Sequence, residues 1–113
     1  MGNGSTPRMT LSTQFVLQVL VAEPAREMYG LEICEAAGLA SGTVHPILAR
    51  LEVVGWLESH WEERDPRAMG RPRRRYYRLT PDGAQRALAA LARTRSSAGL
   101  LHRINPEVAG GTS

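Results

Sequence analysis

The chain has 113 residues, enough for one domain with a modest core and too few for two. Its 14 basic residues are all arginine, against 11 acidic ones, for a net charge of +3; the lack of lysine excludes Schiff-base chemistry and a phosphate-loop lysine. A single cysteine excludes an internal disulfide and a cysteine-rich zinc site, and the longest apolar run falls far short of the 18 or so residues of a membrane span.

Residues 1–9 read as a disordered Gly/Ser/Pro leader. No apolar stretch follows a basic start, so no secretory signal is expected. Met1-Gly2 with Thr6 fits the myristoylation pattern, which is short and common. Thr10 to Glu23 reads as a helix, with Thr10 as N-cap and Pro24 beyond its end. Leu11, Phe15, Val19 and Ala22 recur at helical spacing. Val16, Leu17, Leu20 and Val21 widen the apolar face, which places this helix at the domain centre.

Met28 to Ala37 reads as a second helix with Gly38 at its C-cap. A third follows, capped by Ser41 or Thr43. Pro46 favours Thr43, because the proline then falls in the first turn, where no hydrogen bond is lost. Val44, Leu48, Leu51 and Val54 form its buried stripe, and Gly55 ends it. Leu57 to Glu63 alternates as a strand, and Arg73 to Leu79 forms a second. Tyr77 and Leu79 are expected to face inward, Tyr76 and Arg78 outward. The Asp65-Pro66 and Gly70-Arg71-Pro72 turns between them make a hairpin with a long tip. Thr80-Pro81 opens the last helix. Ser96 to Gly99 weakens it, Leu100, Leu101 and Ile104 resume it, and Pro106 stops it. The expected fold is mainly α (α+β), a winged helix-turn-helix in the order α-α-α-β-β-α. Its expected parts are a DNA-binding domain over 10–80, a C-terminal dimerisation helix over 81–105, and a disordered tail over 106–113.

Charge placement points to a partner. Seven arginines lie between Arg64 and Arg78, opposed within that stretch only by Asp65. A basic hairpin on a near-neutral body is the footprint of a nucleic-acid binder, and the guanidinium fork suits phosphate oxygens. Arg71, Arg73, Arg74, Arg75 and Arg78 are the candidate wing contacts to double-stranded DNA. Ser41, Thr43, His45, Pro46 and Arg50, on the solvent side of the third helix, are the candidate readers of base edges.

Tyr29-Gly30-Leu31-Glu32-Ile33, Ser41 to Leu48, Arg50-Leu51-Glu52 and Gly55-Trp56-Leu57 resemble the PadR family of bacterial transcriptional regulators. The run Gly70-Arg71-Pro72-Arg73-Arg74-Arg75-Tyr76-Tyr77-Arg78-Leu79-Thr80-Pro81-Asp82-Gly83 resembles that family's wing and the start of its last helix. The likeness spans about residues 10–92 and is to the short branch with a single C-terminal helix. It implies a homodimeric repressor on a palindromic operator, with the last helix making the dimer. Two features depart from the family. His45 stands where a tyrosine is usual, and residues 81–105 carry no tryptophan of the kind with which some relatives sandwich flat aromatic ligands.

Ala87, Leu91, Ala98 and Leu101 have spacings that suit a seam between two copies; the alternative is that this face packs on its own domain. Cys34 reads as a core thiol. His45, His60 and His102 lack metal-ligand spacing, so no metal or cofactor is expected. Trp56 and Trp61 read as packing at the wing base. No nucleophile–base pair appears, so an enzyme is not expected. A small-molecule effector stays open and unidentified, and the expected location is cytoplasmic, on the nucleoid, with no membrane partner. The rival function is a winged helix docking an acidic protein surface or RNA.

Overall fold

The computed structural model describes residues 6–104, with side chains through Ser96. Its elements run α1 (Leu11–Ala22), β1 (Met28–Tyr29), α2 (Gly30–Ala37), α3 (Ser41–Val53), β2 (Leu57–Trp61), α4 (Pro66–Met69), β3 (Arg75–Leu79) and α5 (Pro81–Ile104). This is the expected winged helix-turn-helix with two small elements added. The three strands form one antiparallel sheet in the order β1-β3-β2.

Local chemistry sets most boundaries. The Thr10 hydroxyl accepts a hydrogen bond from the Thr13 amide (3.1 Å) and starts α1. Gly38 at φ 71° and Gly55 at φ 84° sit in the left-handed region and stop α2 and α3. Thr80 accepts from the Gly83 amide (2.9 Å) to open α5, with Pro81 in the first turn.

Four sequence expectations need correction. Met28 and Tyr29 are not helical: they pair with Tyr77 and Tyr76 as an edge strand, because these inner sheet positions need a third strand to satisfy β3. Helix α3 begins at Ser41, with Ala40 as its N-cap, so Ser41 and Thr43 are both inside it. Pro46 therefore lies in the second turn rather than the first. Its missing N–H leaves only the carbonyl of exposed Gly42 without a helical partner, and water reaches that group. Helix α5 runs unbroken through Ser96–Gly99. Residues 6–9 are packed rather than free: Met9 lies against the core, its carbonyl accepts from the Gln14 amide side chain, and Thr6 to Arg8 run beside α3. The rest of the leader and the tail from 105 lie outside the described residues.

The core gathers Val16, Leu17 and Leu20 of α1, Ile33 and Cys34 of α2, Val44, Leu48 and Leu51 of α3, Trp56 of the α3–β2 corner, and Leu57, Tyr77 and Leu79 of the sheet. Ala87, Ala90 and Leu91 close it from α5. Burying these apolar side chains, at roughly 1.5–3 kcal/mol for each large one, holds α3 and the wing to one scaffold. Cys34 is the expected core thiol, 5% exposed.

Candidate nucleic-acid interface

Helix α3 is anchored by Val44, Ile47, Leu48 and Leu51, all buried. That orientation leaves Ser41, Thr43, His45, Pro46 and Arg50 exposed on the broad side of the helix away from the core, together with Gly42, Ala49 and Val53. All five candidate readers therefore share a solvent-facing surface. The His45 ring also leans on the start of α2: a Cβ on Gly30 would lie 2.8 Å from His45 Cε1, so glycine is what lets the imidazole lie there.

Beside this helix stands the wing. Strands β2 and β3 pair in the register Leu57↔Leu79 to Trp61↔Arg75. Tyr77 and Leu79 are buried and Arg78 is exposed, as expected, while Tyr76 is half-buried between Tyr29 and His60. Asp65 caps the one-turn helix α4 through the Arg67 amide (3.0 Å), and Gly70 at φ 70° ends it.

The five wing arginines do not share one environment. Arg71 makes two hydrogen bonds to the Glu62 carboxylate, at 2.8 and 3.0 Å. This fork holds the Glu62 carboxyl down at about 2 and raises the Arg71 guanidinium in return. Arg78 sits at the wing base, where it grips Glu58 (2.7 and 3.1 Å), and that pairing raises its pKa as well. Arg75 lies 3.6 Å from Glu52 and over the Trp61 ring. Arg73 donates from Nε to the Arg64 carbonyl (3.0 Å), and Arg74 lies over the Tyr29 ring (4.0 Å). Among the described residues, neither Arg73 nor Arg74 has a carboxylate within ion-pair distance.

The five candidate wing arginines thus differ in how far acids of this chain already hold them. Arg71 and Arg78 are engaged by acids on the facing strand or just past its end, which the count along Arg64 to Arg78 leaves out. Two further arginines, Arg64 and Arg67, are exposed at the wing tip and belong with the basic surface. Their signal was present in the same arginine run; only the α4 turn shows that both project there. Trp56 is buried as expected, but Trp61 is 55% exposed on the wing instead of packed at its base.

The expected dimer seam also changes. Ala87 and Leu91 are buried inside the protomer, in the core that α5 closes. The side chains of Ala98 and Leu101 lie outside the described residues. On α1 and α5 the exposed large apolar side chains are instead Leu11 (63%), Phe15 and Leu88 (51%); Leu31, Val53 and Trp61 are exposed elsewhere on the surface.

The profile of the "Transcriptional regulator PadR-like family" matches residues 16–89, from the middle of α1 into α5. The chain belongs to this family. Among curated proteins, none matches it. The fold of this PadR-like chain is similar to that of solved regulators. A PadR-like transcription factor from Bacteroides fragilis shares 26% identity, with a TM-score of 0.63 over 83% of this chain and 89% of that one. A PadR family transcription regulator from a hypervirulent Clostridium difficile shares 21%, with a TM-score of 0.61 over 89% and 100%. The MepR Q18P mutant from a Staphylococcus aureus clinical isolate shares 22%, with a TM-score of 0.57. That likeness covers 71% of this chain, which spans only 54% of the MepR chain.

Proposed function

We propose that this PadR-like protein is a sequence-specific DNA-binding regulator: a homodimeric repressor of a palindromic operator. The observation that carries this reading is the side-by-side placement of an outward helix face, Ser41 to Arg50, and a wing with Arg64, Arg67, Arg73 and Arg74 exposed or free of carboxylates. Helix α3 enters the major groove, where Thr43, His45 and Arg50 meet base edges. The wing arginines hold phosphates and set register, without choosing sequence.

Dimerisation is supported by the exposed Leu11, Phe15 and Leu88, which lie on two adjoining helices. Burying them against a second copy would point two reading helices at half-sites about 10 base pairs, or a multiple, apart. A small-molecule effector is compatible with this reading and has no assigned determinant. The protein would work in the cytoplasm on the nucleoid.

The test is a binding titration on the region upstream of this protein's own gene, with an unrelated duplex as control, at two salt concentrations. Tight binding to one inverted repeat and weak, salt-sensitive binding to the control is the expected outcome. No binding to either duplex would refute the reading and favour an acidic protein surface or RNA as the wing's partner.

A further inference from the structure

A cleft of about 250 Å³ lies between the start of α2, the outward face of α3 and the wing. Tyr29, Gly30, His45, Trp61, Arg74 and Arg75 are among its lining residues. Arg74 stands out there. Its guanidinium carbon lies 4.0 Å from the centre of the Tyr29 ring, and no carboxylate of the described residues lies within ion-pair distance. Tyr29 is itself fixed. It pairs with Tyr76 across the sheet, its ring meets the Tyr76 ring edge-on at 5.8 Å, and its amide donates to Glu32 (3.3 Å).

Stacking on a ring uses the flat face of a guanidinium. Its N–H donors point outward in the plane and stay available. An ion pair does the opposite: it occupies the donors, as Glu62 does for Arg71. The Tyr29 ring therefore holds Arg74 in one orientation without consuming the groups that grip an anion. A long side chain ordered in advance loses less freedom on binding.

Resting on the DNA-binding reading above, we propose that this cleft receives one backbone phosphate of DNA, gripped by Arg74, and that Tyr29 is the positioning residue that pre-orders Arg74. Tyr29 makes no contact with DNA of its own. Gly30 serves the same cleft by leaving room for the His45 ring at its edge.

The experiment is a salt titration of binding to a short duplex of arbitrary sequence, since a phosphate contact is independent of sequence. Arg74→Ala is expected to lower the slope of log affinity against log salt by about 0.9. Tyr29→Leu is expected to weaken binding about two- to fivefold with the slope kept, and Tyr29→Phe to bind like the wild type. In the Arg74→Ala background, Tyr29→Leu should add no further loss. Arg74→Lys, an exchange at the surface that leaves the fold alone, should weaken binding while keeping the slope, because an ammonium lacks the planar fork. Wild-type affinity in both Tyr29→Leu and Arg74→Lys, or an undiminished effect of Tyr29→Leu without Arg74, would overturn the proposal. A wild-type protein that binds no duplex at low salt would overturn the DNA reading and this proposal together; a wild type that binds duplex DNA while its Arg74→Ala variant keeps the full salt slope, or while the comparisons above come out wild-type, overturns only the latter.

Discussion

Glu62, just past the end of β2, holds Arg71 across the wing loop through two hydrogen bonds of 2.8 and 3.0 Å. The same carboxylate accepts from the Arg74 amide at 3.2 Å, so one acid closes the base of the loop from both sides. Hydrogen bonds to the charged form depress its pKa from the ordinary 4.5 to about 2. The folded wing therefore keeps Glu62 ionised where an unfolded chain would protonate it. Its contribution to order is complete above 4.5 and is lost as pH falls through about 2. A carboxyl-carbon NMR titration should show a midpoint near 2 in the wild type and a midpoint shifted up toward the ordinary value in Arg71→Ala, where the Arg74 amide still donates. A wild-type midpoint already near 4.5 would contradict the pairing.

The unequal environments of the wing arginines predict unequal salt effects. Arg73→Ala and Arg74→Ala should each reduce the salt slope of DNA binding by about 0.9, because each removes a cation that is free to displace a counterion. Arg78→Ala should leave the slope nearly unchanged, since Glu58 already holds that guanidinium at the wing base. The losses in Arg73→Ala and Arg74→Ala should be alike on any duplex. A drop in slope for Arg78→Ala as large as that for Arg73→Ala would show that the Glu58 pair opens on DNA.

Much of this architecture was legible in the sequence because local signals agreed with the global fold. Thr10, Gly38, Gly55 and Thr80 each do at an element end what their chemistry suggests, and the alternation from Leu57 to Trp61 and from Arg75 to Leu79 is true strand alternation. What was hidden depended on partners distant in the chain. Met28 and Tyr29 have no strand signal of their own; Tyr77 and Tyr76 make them a strand. The arginine run could not show which members are neutralised, because Glu58 and Glu62 lie on the other side of the hairpin. Ala87 and Leu91 sit at spacings that suit either a core or a seam, and only their burial in the folded protomer decides between them.

The start of α5 supplies a stability prediction. The Thr80 amide donates to the Trp56 carbonyl (3.0 Å) and its hydroxyl to the Gly55 carbonyl (2.9 Å), which draws the first turn onto the α3–β2 corner. A Cβ on Gly83 would lie 2.1 Å from the Trp56 carbonyl oxygen, which is backbone and cannot step aside. Gly83→Ala should therefore destabilise the fold by about 3 kcal/mol, lowering Tm by roughly 10 °C or more. Gly42→Ala is the control, because a Cβ there meets nothing within 4 Å. Equal melting of the two variants would remove this account of the corner.

Two positions on α5 separate folding from assembly. Leu91 is buried among the core residues, so Leu91→Ala should cost about 2–5 kcal/mol and lower Tm in proportion. Leu88, three residues earlier, is 51% exposed, and on the neighbouring helix Phe15 is 39% exposed. Charges placed there should leave the protomer folded but unable to bury its apolar face against a second copy. Leu88→Glu and Phe15→Glu are thus expected to give folded monomers by light scattering at micromolar concentration, where the wild type is expected to be a dimer. A monomer should meet one half-site only, so its preference for an inverted repeat over a single half-site should vanish while its salt-dependent binding to any duplex persists. If the two variants stay dimeric, the contact lies farther along α5, and truncating the helix after Ser96 becomes the change that should release the monomer.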